Sequence, residues 1–470
     1  MSKKEKTQVE EMDRGVYDIK NKFTYRSKTE KGLTEDIIRQ ISAEKNEPEW
    51  MLEYRLKALE IFNQKSNPTW GPDLSEVDIN EITTYIRPDA DLSDDWNKVP
   101  EEIRDTFDKL GIPEAEKESL LSGVGAQYDS EVVYHSIQKH LLDQGVIYTD
   151  FETGLHEYPE IVKKYFQKCI TPNLHKYAAL HYAVWSGGSF VYVPEGVKVD
   201  IPLQSYFRLN APGAGQFEHT LIIVEDDAYC HFIEGCSAPK YNVVNLHAGA
   251  VELFVGKNST LRYSTIENWS RNMYNLNTKR AIVEENGKIE WVSGSFGSKV
   301  SMLYPASILV GENASSEFTG ISFAGEGQNL DTGAQVVHAA PHTKSTIYTK
   351  SISKGGGVAI YRGLVDIHEN AYGSKNSTSC ESLMLDSMSR SDTIPSINIK
   401  NNNIDMGHEA KIGRISDSVI FYLMTRGISE EEAKQMVVRG FAEPIAKELP
   451  LEYAVEMNNL INLELVGSIG

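Results

Sequence analysis

Long apolar runs are missing from this chain of 470 residues. No stretch approaches the ~18 apolar residues that a membrane-spanning helix needs. The opening segment, MSKKEKTQVEEMDR, lacks the apolar stretch of a secretory signal. Cysteine is scarce: four residues, at positions 169, 230, 236 and 380. None forms C-x-x-C, which excludes a zinc ribbon and a thioredoxin-like motif. Four isolated cysteines do not make a disulfide scaffold, so a reducing cytoplasm is the expected compartment. Positive charge is in deficit: 47 Lys+Arg against 67 Asp+Glu, a net −20. That argues against nucleic-acid binding, which needs cations to displace phosphate counterions, and against anionic membrane surfaces. G-x-x-x-x-G-K-[ST], G-x-S-x-G and H-E-x-x-H are also absent. Gly355–Gly357 reads as a tight turn. His338 and His342 flank a turn in strand-like sequence, so they do not read as a metal pair.

What is present is ordinary for a globular protein: 40% hydrophobic and 24% charged residues. The length suggests about three structural units. Residues 1–165 hold 35 acidic and 22 basic residues, a net −13. The remaining −7 is spread over 305 residues. The acidic first third reads as helical with loops, and its charge as a solvated surface. Helical spacing is found over 33–43, after Pro48 to Phe62, and in 100–110, 131–144 and 157–168. NPTWGPDLSEVD (67–78) is loop-like, with two prolines and a glycine.

From Gly187 the texture changes to short runs rich in Val, Ile, Tyr, Phe and Thr, separated by turns. Small residues in those turns recur: Ala228, Ser259, Gly287, Ala314, Thr343 and Ala371. The steps are 31, 28, 27, 29 and 28. Such a period in strand-and-turn sequence predicts a β-solenoid over residues 170–412, with a sandwich of evenly spaced hairpins as the alternative. Residues 1–169 and 413–470 are then flanking helical domains. Ser429 with Glu432 forms a capping box, and Gly440 is expected to interrupt the helix. Tyr453, Met457, Leu460, Ile461 and Leu465 make one apolar stripe, expected to cap the open end of the solenoid or dock a partner.

The same period frames the candidate chemistry. Cys380 lies 28 residues before His408 and 29 before Glu409. Residues one period apart stack on rungs ~4.8 Å apart. Thiolate, imidazole and carboxylate converging there would suit iron. The spacing equally allows a buried free cysteine beside surface polar residues. Cys236, just after Gly235, reads either as a reactive thiol or as a small core residue. Cys169 reads as structural. Asp331, Asp366 and Glu369 are the acids a carbohydrate-active solenoid enzyme would need, but they form no evident cluster.

The runs SGGSFVYVPEGVKVDIPLQSYFRLN, GQFEHTLIIVEDD, FIEGCSAP, YRGLVDIHENA, SCESLM and GHEAKIGRIS resemble the SufB/SufD family, and within it the SufB members. These are scaffold subunits of the Suf iron–sulfur cluster assembly system. The likeness extends from PEWMLEYRLKALEIF and NPTWGPDL to ELPLEYAVEMNNLINLELVGSIG, nearly the whole chain. It implies a right-handed parallel β-helix core between helical domains, and no catalytic activity of the chain's own. ATP hydrolysis would belong to the partner SufC, docked on the C-terminal helical region. SufD would pair at the C-terminal end of the solenoid. A cysteine desulfurase with a sulfur-relay protein would supply sulfur, apo Fe–S proteins would receive the nascent cluster, and reduced FAD is associated with the complex. Cys236 in EGCSAP matches the sulfur acceptor. Cys380 in SCES and Glu409 in GHEA, with His408 beside it, match the cluster-forming site. Cys236 and Cys380 are 144 residues, about five periods, apart. Sulfur would then have to travel ~25 Å along the axis. Arg208, Asn210, Glu267 and Lys279 are the candidates for a polar route inside the solenoid. A SufD-like structural partner is the alternative.

Overall fold

The computed structural model describes residues 18–22, 24–110, 121–449 and 451–466. The opening segment MSKKEKTQVEEMDR and Pro450 lie outside them.

The turn that recurs in the sequence has a backbone cause. Asp227, Asn258, Asn286, Asn313 and His342 all adopt left-handed φ values between 54° and 60°, a region that Asn, Asp and His tolerate better than most residues. Each donates its backbone N–H to a carbonyl in the turn of the next rung, at 2.8–3.1 Å. The residue that follows is small and buried: Ala228, Ser259, Gly287, Ala314 or Thr343. One rung further on, Gly373 (φ 71°) takes the left-handed slot. Ser374, not Ala371, is then the small residue that follows the left-handed slot, its hydroxyl 2.8 Å from that of Thr343. The last step is therefore 31 residues, not 28, as the pairing of Lys344 with Lys375 shows.

These turns wind the chain into a β-solenoid of about eight turns, flanked by N- and C-terminal helices. One wall is a ten-stranded sheet. Its long parallel strands include Tyr229–Ser237, Thr260–Asn268, Lys288–Phe296, Ser315–Ala324, Lys344–Ser353, Ser374–Met384 and Ile404–Arg414. The other wall is a fourteen-stranded sheet, folded along its length. Along each strand alternate side chains face inward. Part of the interior is apolar, with Phe232, Leu253, Tyr263, Trp291 and Ile347 in one cluster.

The helices cover the outside of the walls. Glu35–Glu44, Glu49–Gln64 and Lys176–Val184 pack with Phe190, Leu221 and Ile223 of the fourteen-stranded wall. Arg55, fully buried, pairs with Glu47 at 2.6 Å and donates to the carbonyls of Ala183 and Trp185. Helices Glu430–Ala446 and Leu451–Val466 lie on the ten-stranded wall. Tyr453, Met457, Leu460, Ile461 and Leu465 cluster there with Tyr206, Ile233, Ile266, Val292 and Ile321. The stripe therefore covers the flank of the solenoid and leaves its end open. The helix 430–446 carries the capping box and runs through Gly440 unbroken.

The segment 131–144 is not one helix. Glu131–Ile137 is a strand, and only Lys139–Leu142 is helical. It pairs antiparallel with Gly123–Tyr128, and the pair extends the ten-stranded wall. Ile147–Asp150 extends the other wall. Both walls thus begin within the first 169 residues, and the first parallel strand of the fourteen-stranded wall is Ser189–Val193. No helix among the described residues is long and apolar enough to cross a membrane.

Candidate functional site

Two inward columns on the ten-stranded wall carry the polar chemistry. Pairing aligns Glu234, Thr265, Ser293, Gly320, Thr349 and Cys380 in one column. The second holds Cys236, Glu267, Ser295, Ser322, Ser351 and Ser382. Cys236 and Cys380 are five strand steps apart, about 24 Å at the usual spacing. Between them stand Glu267, Gly320 and otherwise small hydroxyls. Ser351 and Ser382 share a hydrogen bond of 2.7 Å. Ser293 and Cys380 are among the residues lining a cavity of about 30 Å³. A smaller one, sharing Ser293 and Phe318 with it, reaches Glu267 and Lys279.

At the Cys236 end the interior is ionic. Lys279 donates to Glu234 at 2.8 Å and lies 3.7 Å from Glu267. Asn275 donates to Glu267 at 2.7 Å and contacts His247 at 2.7 Å. His247 reaches Glu218 at 2.5 Å. All of these groups are buried. Burial opposes the charge on Lys279, but the two carboxylates hold its pKa above the ordinary lysine value. Burial likewise works to raise Glu234, yet Lys279 and Tyr263 keep it below the usual carboxylate range. Glu267 stays raised, because burial outweighs Lys279 and His247. The Cys236 sulfur is 3.8 Å from Oε1 of Glu234. Burial, then Glu234, Glu218 and Glu267, push its thiol well above the ordinary value. Cys236 is therefore a protonated thiol with a carboxylate acceptor at hand.

Of the four predicted interior residues, Glu267 and Lys279 belong to this network. Arg208 and Asn210 do not. Arg208 pairs with Ser237, on the outward face of the strand, and donates to Ser237 Oγ at 3.0 Å and to the Ile19 carbonyl at 2.9 Å. Asn210 lies beyond the strand end, its backbone N–H bound to Asp129 at 2.7 Å. Cys230 faces inward with Cys236. Six residues of strand, roughly 20 Å, keep the two apart. Cys169 is buried, its N–H donating to Glu252 at 2.8 Å, which fits the structural reading.

At the other end the true register decides which residues meet. Cys380 pairs with Ala410, Ser379 with Glu409, and Thr378 with His408. The step is 30 residues, not 28 or 29. His408 therefore shares the inward face, and its Nε2 is 3.8 Å from the Cys380 sulfur. Glu409 is on the opposite face, 61% exposed and 3.1 Å from Lys411. The three predicted ligands do not converge; two of them do. Burial raises the Cys380 thiol, offset in part by hydrogen bonds with Thr349 and Tyr361. Among the described residues no group of three His, Cys, Asp or Glu side chains is arranged to hold a metal ion. Nor do Asp331, Asp366 and Glu369 form a cluster: Asp331 is paired with Arg362 at 2.7 Å, and Asp366 lies 3.5 Å from His368. His338 binds Thr343 and Ser345, not a partner histidine.

The reading from sequence missed the serine column, Glu234, Glu218, His247 and Tyr361. Adding the sequence's rung steps to Glu267 gives 295, 322 and 351, each a serine, so most of the column was there to be found; Ser382 follows only from the true last step of 31.

Residues 207–441 match the family described as SUF system FeS cluster assembly, SufBD core domain. Residues 35–205 match the SufBD protein N-terminal region. Similar curated proteins include iron–sulfur cluster assembly SufBD family proteins of Staphylococcus aureus and Staphylococcus haemolyticus. Each is 53% identical over 443 residues, which is 94% of this chain and 95% of the relative.

Proposed function

This chain belongs to the SufBD family of iron–sulfur cluster assembly proteins, and from that premise we propose that it is a scaffold of the SufB type. It accepts sulfur at Cys236 and holds a nascent, labile cluster at Cys380 and His408, for transfer to apo-proteins. The observation that carries this reading is the Cys380–His408 contact on the inward face of the last strand pair. It lies beside strand edges that no described residue pairs.

The sulfur step uses groups already in contact. The Cys236 thiol loses its proton as it attacks, and that proton ends on the leaving thiolate, because Glu234, held below the usual carboxylate range, is too weak a base to keep it. The thiolate attacks the outer sulfur of a donor persulfide, R–S–SH. The S–S bond of the donor breaks, R–S⁻ leaves, and Cys236 becomes the persulfide. No external oxidant is needed. The Glu267–Lys279 site and the serine column then line the way to Cys380. Arg208 and Asn210 drop out of this route, since both lie outside the interior.

At Cys380 a ferrous ion displaces the thiol proton, as metals do when they bind cysteine. One thiolate and one imidazole hold iron more loosely than four thiolates, as a scaffold requires. Glu409 faces away and takes no part in the inner ligand pair. The open rung edge is the proposed seat of SufD. The C-terminal helices, with Phe421 and Tyr422 exposed, are the proposed seat of SufC, which would hydrolyse ATP. A desulfurase with its relay would supply the sulfur, and reduced FAD in the complex would supply electrons. The chain itself is not an enzyme. A SufD-like structural role is the alternative, and it requires no sulfur chemistry at Cys236.

The test is anaerobic reconstitution on the complex with ferrous iron, desulfurase and relay. Cys380→Ala and His408→Ala should each lose most of the visible cluster absorbance. Cys236→Ala should lose sulfur uptake. Glu409→Ala should keep its absorbance; loss would mean that the edge strand turns this carboxylate inward in the complex. Wild-type absorbance in all of Cys236→Ala, Cys380→Ala and His408→Ala would contradict the reading and favour the structural role.

A further inference from the structure

Away from both cysteines, a groove of about 660 Å³ opens between the 64–70 loop and the fourteen-stranded wall. We propose that this groove binds a small molecule made of a planar heterocycle and a phosphate group. The volume is within the range of small-molecule sites. The loop is the NPTWG segment, which the cluster chemistry leaves without a role.

Three features of the lining point to that ligand. The first is charge. Lys65, Lys176, Lys279 and Arg280 line the groove, and no aspartate or glutamate does. Lys279 is neutralised from inside by Glu234 and Glu267. Lys65 and Lys176 take part in no ion pair among the described residues. In a chain of net −20, an acid-free wall with two unpaired lysines selects for anions. The second is a flat apolar surface. Trp70 is 49% exposed, yet held in place, with Tyr304 at 5.8 Å between ring centroids and the Arg362 guanidinium 4.8 Å from its ring. A fixed, half-exposed indole is a stacking platform for a planar ring. The third is an unused amide. Asn277 is 5% exposed, and neither its Nδ2 nor its Oδ1 has a hydrogen-bond partner. A buried amide left unsatisfied is costly. Its adjacent donor and acceptor match the edge of a heterocycle such as adenine. Cations for the phosphate, an indole for the ring and an amide for its edge line one groove.

The experiment is isothermal titration of the full chain with three probes: ADP, adenosine and inorganic pyrophosphate. ADP should bind in the micromolar range. Adenosine and pyrophosphate should each bind about tenfold more weakly or worse. Lys65→Glu with Lys176→Glu should weaken ADP by about tenfold or more. Asn277→Leu should weaken it too, while raising the melting temperature, because a buried unpaired amide is removed. If Asn277→Leu fails to fold, the surface pair Lys65/Lys176 still decides the matter. No binding of ADP at ~1 mM, well above the micromolar range, would overturn the proposal. So would ADP affinity unchanged by the lysine reversals, or pyrophosphate binding as tightly as ADP. None of these outcomes bears on cluster formation at Cys380, which is read separately by its absorbance.

Discussion

Lys279 sits buried between Glu234 and Glu267. Lys279→Met would leave two buried carboxylates facing each other, and removing one partner of a buried ion pair costs about 3–5 kcal/mol. Chemical denaturation should show a loss of that order, and Lys279→Arg should restore part of it. Asp129 gives a pH test. Burial lifts its carboxyl to about 6 against the backbone N–H groups of Asn210 and Ala211. The folded chain therefore holds a proton there that the unfolded chain releases near pH 4. This protonated group favours the fold below pH ~4, and the advantage is lost as pH rises through ~6. Relative to wild type, Asp129→Asn should melt with a weaker fall in Tm between pH 4 and 7. At this scale the sequence was legible where chemistry and period agreed. Cys380 and His408 do meet, and Glu267 and Lys279 do face inward. It misled where one residue of register decides the face. A step of 30 rather than 29 puts Glu409 outside, and strand alternation turns Arg208 away from the interior. No residue type announces either outcome.

Turn chemistry made the solenoid readable, because a small residue follows an Asp, Asn or His in the left-handed region in five successive turns. The same logic explains the one slip: a glycine at 373 does the job of asparagine, so the small residue that follows was sought three positions too early. The strand 131–137 was hidden for another reason. Its partner begins Gly-Val-Gly, and Gly123 and Gly125 leave room for the Tyr148 ring, less than 3 Å from where a Cβ would stand. The segment itself, EVVYHSI, is rich in strand formers and pairs with 123–128, so it is the glycines of its partner that hide the hairpin. The C-terminal helices offer two checks. Ser429→Ala removes the capping box and should cost about 1 kcal/mol. Met457→Ala opens a cavity between the last helix and the ten-stranded wall and should cost about 2–5 kcal/mol. Hydrogen exchange should speed up in 430–466 and stay slow in the inner solenoid strands, since the helices pack on its outside.

The whole molecule is a cylinder with its flanks covered and one end left bare. The strands Arg390–Ile399 and Ile404–Arg414 are paired on one side only among the described residues, and Ile394, Ile397, Ile399 and Ile412 are exposed there. An unpaired, apolar sheet edge invites strand addition. Ile397→Lys with Ile412→Lys should abolish association with the proposed SufD partner in gel filtration, while leaving the circular dichroism of the isolated chain unchanged. The proposed iron site, Cys380 with His408, lies at this end, where an interior column of polar side chains reaches the unpaired edge. The central claim is that Cys380 and His408 together hold the iron. Pulsed electron paramagnetic resonance on the reconstituted, reduced cluster tests it most directly, by reading nitrogen hyperfine couplings at the iron. A histidine nitrogen coupling in wild type that vanishes in His408→Ala is the expected result. A cluster with no such coupling, or one whose coupling survives His408→Ala, would contradict it.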